Sequence, residues 1–153
     1  MQVGIVSKHQ YLEYSGTYKG MDFVVLFNSG GWRTGYVNVK NTFLENLDNT
    51  ACDTYVDVHG GFTYKDCRLP FEQIISENYV WLGWDYAHWY DAYDLRAIKQ
   101  YFGESDYLKM KSLAFTNKLS PNAHIYTLLD VISECKKVII QIKKGGTNEK
   151  TIR

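Results

Sequence analysis

The apolar and polar positions of the chain change period several times, and each change marks an element. Val3 to Val6 reads as a brief strand. Tyr18-Lys19-Gly20 marks a turn, Met21 to Phe27 is β-branched and aromatic, and Asn28-Ser29-Gly30-Gly31 turns the chain again. Trp32 to Val39 alternates: Trp32, Thr34, Tyr36 and Asn38 fall on one face, Gly35, Val37 and Val39 on the other, the period of two of a half-buried strand. These segments predict a β-meander with one aromatic, accessible face.

Asn41 to Thr54 is polar and reads as a short helical turn and loop. Tyr55 to His59 alternates, which predicts a strand carrying Tyr55, Asp57 and His59 on one face and Val56 and Val58 on the other, ended or bulged by Gly60-Gly61. Phe62 to Tyr64 continues it. A loop from Lys65-Asp66 then runs past Pro70 to a short helix expected from Phe71 to Ser76. Tyr79 to Trp84 is apolar without alternation, as in a central strand covered on both faces. Asp94 suits the N-cap of a helix from Leu95 to Phe102 stopped by Gly103, and Asp106 to Phe115 reads as another short helix.

The strongest periodicity comes last. Leu128, Ile132, Cys135, Ile139 and Ile142 recur at alternating steps of four and three, and Leu129, Val131 and Val138 widen the stripe. Ser120-Pro121 supplies a start for this helix and Lys143-Lys144-Gly145-Gly146 a cationic end and stop. The expected fold is therefore α+β: an antiparallel sheet of the N-terminal meander plus central strands, packed against a long C-terminal helix and short helices. Residues 1–146 form one globular domain in this reading, and 147–153 a disordered tail.

Composition narrows the function classes. Seventeen basic residues balance seventeen acidic ones, so no global positive field draws in nucleic acid or an anionic membrane. No eighteen-residue apolar run exists to span a membrane, and the N-terminal apolar window is too short for a signal peptide. Cys52, Cys67 and Cys135 show no C-x-x-C spacing, which fits idle thiols in a reducing cytoplasm. The 16% aromatic content, with thirteen tyrosines and four tryptophans, is high and favours a binding surface, for which Trp32 and Tyr36 are the candidates.

The candidate chemistry lies between Tyr55 and Asp91, where YVDVHGGFTY and WLGWDYAHWYD place Asp57, His59, Asp85, His88 and Asp91 beside Gly60, Gly61 and Gly83. If the chain turns helically after Asp85, then Asp85, His88 and Asp91, each three apart, approach one another. Two imidazoles and two carboxylates suit zinc, manganese or iron, and His59, Asp85 and His88 are the candidate ligands of a divalent metal cofactor. Neither H-E-x-x-H nor a two-histidine helical pair is present. Without metal, the same residues make a catalytic set in which His59 or His88 is a general base held by Asp57 or Asp85. Cys52, Cys67 and Thr63 are the available nucleophiles, each more often structural. Gly60-Gly61 lets a ligand approach backbone N–H groups, and with Thr63 and Tyr64 completes a ligand-binding set of Asp57, His59, Gly60, Gly61, Thr63, Tyr64, Asp85, His88 and Asp91. The competing structural reading has His59 bonded to backbone at the glycine turn, Asp85 capping the following turn, and Trp81 and Trp84 in the core.

These motifs also resemble a family of small uncharacterised proteins found mostly in bacteriophages, prophages and other mobile elements. The match runs through Tyr18-Lys-Gly with Val24-Val-Leu, Gly35-Tyr36-Val37-Asn-Val39, Asp57-Val58-His59-Gly60-Gly61-Phe62-Thr63-Tyr64 and Trp81-Leu-Gly83-Trp84-Asp85-Tyr-Ala87-His88 to the C-terminal helix. The family motifs usually read His-Gly-Gly-Leu-Thr-Tyr and Gly-Phe-Asp-Cys-Ala-His followed by Gly-Asp. This chain carries Phe62 and Trp84 at the apolar positions, Tyr86 at the cysteine and Tyr90 before Asp91. The resemblance implies an accessory protein of a phage or mobile element, acting in the host cytoplasm by binding a host protein or small ligand in counter-defence or host takeover. The alternative is a small hydrolase or nucleotide-processing enzyme, metal-dependent or not, centred on His59, Asp85 and His88.

Overall fold

Alternation and tight turns fold the N-terminal part into a meander of β1 (Gly4–Ser7), β2 (Gln10–Tyr18), β3 (Met21–Asn28) and β4 (Arg33–Asn38). The computed structural model describes residues 1–116 and 123–145. Lys19 and Gly20 both adopt positive φ, 50° and 81°, as the two-residue turn joining Tyr18 to its partner Met21 requires. β6 (Trp81–Asp85) pairs with β4, and β5 (Tyr64–Asp66) pairs with the far side of β6. The result is a six-stranded antiparallel sheet in the order β1-β2-β3-β4-β6-β5.

Both faces of the sheet are covered. On one, Phe23, Val25, Val37, Leu82 and Trp84 pack with Val131, Cys135, Val138, Ile139 and Ile142 of the long helix α4 (Leu128–Lys143). On the other, Leu12, Val24, Leu26, Tyr36 and Trp81 meet Leu69, Phe71 and Tyr79 of the β5–β6 connection. At one end Phe27 packs on Ala97 and Ile98 of α2 (Leu95–Phe102), which α3 (Glu104–Thr116) follows. Each fully buried Val, Leu, Ile or Phe contributes roughly 1.5–3 kcal/mol by leaving water. A short helix α1 (Asn49–Asp53), N-capped by Asp48, lies in the connection after β4.

The expected α+β architecture is therefore the observed one, with Asp94 capping α2, Gly103 ending it, and Trp81 and Trp84 in the core. Local readings differ in several places. Lys65 and Asp66, expected to open a loop, pair with Leu82 and Trp81 as part of β5, and Phe62 and Thr63 precede that strand as loop. The aromatic face of β4 is buried at Tyr36, 4% exposed, because the β5–β6 connection lies over that side of the sheet, and Trp32, which precedes β4, is half-buried. Tyr55 to His59 is loop, not strand. Its alternation reflects Val56 and Val58 turned to the core, while the Tyr55 and Val56 N–H groups donate back to Cys52 O and α4 side chains bond the backbone of Asp57 and His59. The Asp57 N–H donates to Gln141 Oε1 at 2.8 Å, Gln141 Nε2 donates to Asp57 O at 2.8 Å, and the His59 N–H donates to Glu134 Oε1 at 3.0 Å.

The segment Phe71 to Ser76 is irregular, since Ile74 and Ile75 both face solvent and leave no apolar stripe for a helix to bury. α4 begins at Leu128, not at Ser120-Pro121, which lie outside the described residues. Thr127 caps it reciprocally with Asp130, each backbone N–H bonded to the other side chain. Leu129, in that first turn, stays outside the apolar stripe, 75% exposed. Gly146 and the expected tail 147–153 also lie outside the described residues. The three cysteines are free thiols, and no helix among the described residues is long and apolar enough to cross a membrane.

Candidate functional site

β6 delivers Asp85 to the end of the sheet, after which the chain turns through 86–90 and comes back in at Asp91. Asp91 is 2% exposed and forms an isolated parallel bridge with His124, in the strap that leads into α4. The strap is held by the Ala92 N–H donating to His124 O at 2.8 Å and the His124 N–H donating to Tyr90 O at 3.1 Å. A buried carboxylate requires partners. His59 Nε2 lies 3.0 Å from both Asp91 oxygens, and His88 Nδ1 lies 2.8 Å from Oδ2, which also accepts the His88 backbone N–H at 3.0 Å. Two imidazoles from separate loops thus converge on one carboxylate. With both donating, His59 carries its proton on Nε2 and His88 on Nδ1.

Close approach of the two loops depends on Gly60. Its φ is +70°, and a Cβ there would stand 2.2 Å from His88 Cε1 and 2.4 Å from Nε2. Aromatic rings bracket the imidazoles. His59 stacks on Tyr86 with centroids 4.5 Å apart and meets Tyr126 at 4.6 Å, while His88 stacks on Tyr90 at 5.2 Å. Burial pushes the Tyr86 phenol well above its usual range, outweighing the Trp84 indole N–H that donates to its oxygen at 3.1 Å. The Tyr126 phenol is also raised, first by burial and then by the charge of Asp91. Beside His59 opens a cavity of ≈ 360 Å³ lined by Tyr86, Tyr126, His124 and the polar face of α4 at Asp130, Ser133, Glu134 and Lys137. That volume is within the usual range for small-ligand sites.

The structure brings together part of the sequence-derived set and disperses the rest. His59, His88 and Asp91 converge. Asp85 is the neighbour, not the centre: its Oδ1 accepts the Ala87 N–H at 3.1 Å, its Oδ2 accepts the Thr63 hydroxyl at 3.2 Å, and Oδ1 lies 3.9 Å from His88 Nε2. The candidate metal set therefore changes, with Asp91 in place of Asp85. Asp57 is exposed and meets α4 through its backbone, so it does not hold His59. Tyr64 packs edge-on against Tyr36 at 5.3 Å and gives its hydroxyl to Arg68 O, away from the imidazoles. Gly61 adjoins Asp53, whose Oδ1 accepts the Phe62 N–H at 2.8 Å. Trp32 and Tyr36 do not form an open aromatic surface.

Sequence reasoning missed Tyr86, Tyr126, His124, Glu134 and Lys137 as site residues. Glu134 and Lys137 look like the solvated side of an amphipathic helix, and Tyr126 and His124 sit in a short segment with no periodicity. Only Tyr86 carried a signal, as the residue at the cysteine position of the resembled motif.

A metal has the donors it needs here. One nitrogen of each histidine and one Asp91 oxygen lie within 4.8 Å of one another. Ligand atoms of a tetrahedral zinc site with bonds of ~2.0–2.1 Å stand about 3.3 Å apart. The His59–Asp91 and His88–Asp91 separations of 3.0 and 2.8 Å are within a few tenths of an ångström of that spacing, while the two imidazole nitrogens stand within 4.8 Å of each other and would close on a shared ion. No protein-family model matches the chain, and neither the curated proteins nor the solved structures contain a match.

Proposed function

We propose that the protein is a small metal-dependent hydrolase whose ion is held by His59, His88 and Asp91, with the adjoining cavity receiving a small polar substrate. The observation that carries this is the convergence of two imidazoles from separate loops on a carboxylate 2% exposed. A purely structural core does not need such an arrangement, since apolar residues of similar volume fill space at less desolvation cost. Three protein ligands are the number that catalytic zinc sites use, leaving a fourth position open, and an ion so held activates water near neutral pH.

The remaining groups support that role. With His88 ligating through Nδ1, its Nε2 stands 3.9 Å from Asp85 Oδ1, and closure to hydrogen-bond distance would give the carboxylate–histidine pairing that orients ligands in metal sites. Tyr86 and Tyr126, themselves in contact at 4.8 Å, pack against the His59 ring, and Glu134 fixes its backbone. Elemental analysis of purified protein tests the reading. Stoichiometric zinc, manganese or iron is expected in the parent, lost in a folded Asp91→Asn variant and retained in Asp85→Asn. A folded parent that neither contains nor takes up metal on dialysis against these ions overturns it.

One observation favours a second reading, a phage accessory protein that captures a host partner. Trp89 is 70% exposed and Tyr90 40%, on the same turn as His88, and they replace Trp32 and Tyr36 as the candidate contact surface. In that case Trp89→Ala removes partner capture and leaves metal content unchanged.

A further inference from the structure

Besides Asp91, the charged side chains buried among the described residues are Glu13 in β2 and Arg33 in β4, each 5% exposed. Arg33 Nε and Nη2 donate to the two Glu13 oxygens at 2.7 and 3.0 Å, and Nη1 donates to Asp94 Oδ2 at 2.7 Å. The Tyr101 hydroxyl completes the cluster with a 2.6 Å bond to Glu13 Oε2. Burial works to lower the Arg33 guanidinium, but Glu13 and then Asp94 outweigh it, and it is held above its usual value. Such buried ion sets are a weak source of stability. This one has another consequence, because Arg33 reaches the site twice.

Its Nη1 also donates to the backbone oxygen of Tyr126 at 2.9 Å, and its own backbone oxygen accepts the Tyr86 N–H at 3.1 Å. Tyr86 and Tyr126 pack on His59 at 4.5 and 4.6 Å and on each other at 4.8 Å, so the two phenol rings form one joined wall against the imidazole. We infer that Arg33 is the positioning residue of this site: its side chain, ion-paired in the core, holds the Tyr126 strap so that Tyr126 packs against Tyr86, and that joined pair sets the direction of His59 Nε2. Its effect on metal affinity rests on the hydrolase reading above, whereas its effect on His59 does not. Lysine is not a substitute, because a single ammonium point lacks the fork that serves Glu13, Asp94 and the Tyr126 carbonyl together.

The test compares Arg33→Lys with Tyr101→Phe, which removes a hydrogen bond from Glu13 without touching the strap. His59 ring signals are followed by NMR, where the flanking tyrosines impose ring-current shifts, and Co²⁺ affinity is followed by its visible absorption. Folded Arg33→Lys should move the His59 signals toward free-histidine positions and lower Co²⁺ affinity about 10–100-fold, the range found when outer-shell partners of metal ligands are removed. Tyr101→Phe should cost stability and change neither readout. Parental His59 signals in Arg33→Lys, or equal changes in Tyr101→Phe, overturn the inference. If Arg33→Lys does not fold, the paired variant Glu13→Leu/Arg33→Met, which replaces the ion pair by apolar groups, carries the same comparison. A parent that takes no Co²⁺ defeats the metal reading alone, and the His59 shifts still decide the role of Arg33.

Discussion

Substituting Gly60→Ala places one methyl group against the centre of the site, at a cost with two parts. The first part is backbone strain: φ is +70°, and an L-residue held in the left-handed region costs about 1–2 kcal/mol. The second is steric. The new Cβ stands 2.2 Å from His88 Cε1, far inside the ~3.5–4.0 Å of an ordinary carbon contact. The ring cannot swing away cheaply, because its Nδ1 is bonded to Asp91 at 2.8 Å and its face is stacked on Tyr90. Overpacking of this kind costs about 1–3 kcal/mol, which brings the sum to roughly 2–5 kcal/mol. At about 2–4 °C per kcal/mol for a domain of this size, Tm should fall by roughly 4–20 °C. Gly20→Ala is the internal control, since its φ is +81° and its Cβ would meet nothing within 4 Å. It should show the backbone part alone. Urea unfolding at unchanged m-value measures both variants, and repeating Gly60→Ala in a His88→Ala background should reduce its cost to that of Gly20→Ala. Equal costs at positions 60 and 20, or no relief from His88→Ala, would refute the packing described for the two loops.

Two further outcomes follow from burial elsewhere. The Tyr64 phenol is pushed up to about 12, chiefly by burial, and Tyr36, Tyr86 and Tyr101 are raised for the same leading reason. Their folded-state values lie above the unfolded value of about 10, so their contribution to stability is complete below that pH and is lost as pH rises through the folded values. Absorbance at 295 nm should therefore include a phenol step that coincides with loss of circular dichroism, and full ionisation with the native spectrum intact would contradict it. Among the thiols, burial raises Cys52 and Cys135, while Cys67 is half-buried. A disulfide reagent at pH 8 should label Cys67 first and the other two only in denaturant, and mass spectrometry of the labelled peptides reads the order.

Elements whose signal is local or strongly periodic follow from the amino-acid sequence alone. The 4-3 stripe of α4, the Asp94 cap and Gly103 stop of α2, and the turns flanking Met21 to Phe27 each follow from how a short stretch satisfies its own backbone and buries one face. The residue types of the site were legible too, since histidine and aspartate beside glycines are poor material for a plain core. The closed fold sets which carboxylate the histidines share. Asp85, His88 and Asp91 are equally spaced in the sequence, yet the turn after β6 commits Asp85 to Thr63 and Ala87 and sends Asp91 inward. It also decided that Tyr55 to His59 bonds to Gln141 and Glu134 instead of a strand, because those acceptors and donors lie on a helix more than seventy residues away. A period of two records which side chains are buried, not which partner takes the backbone hydrogen bonds, and that partner exists only once the chain has closed on itself.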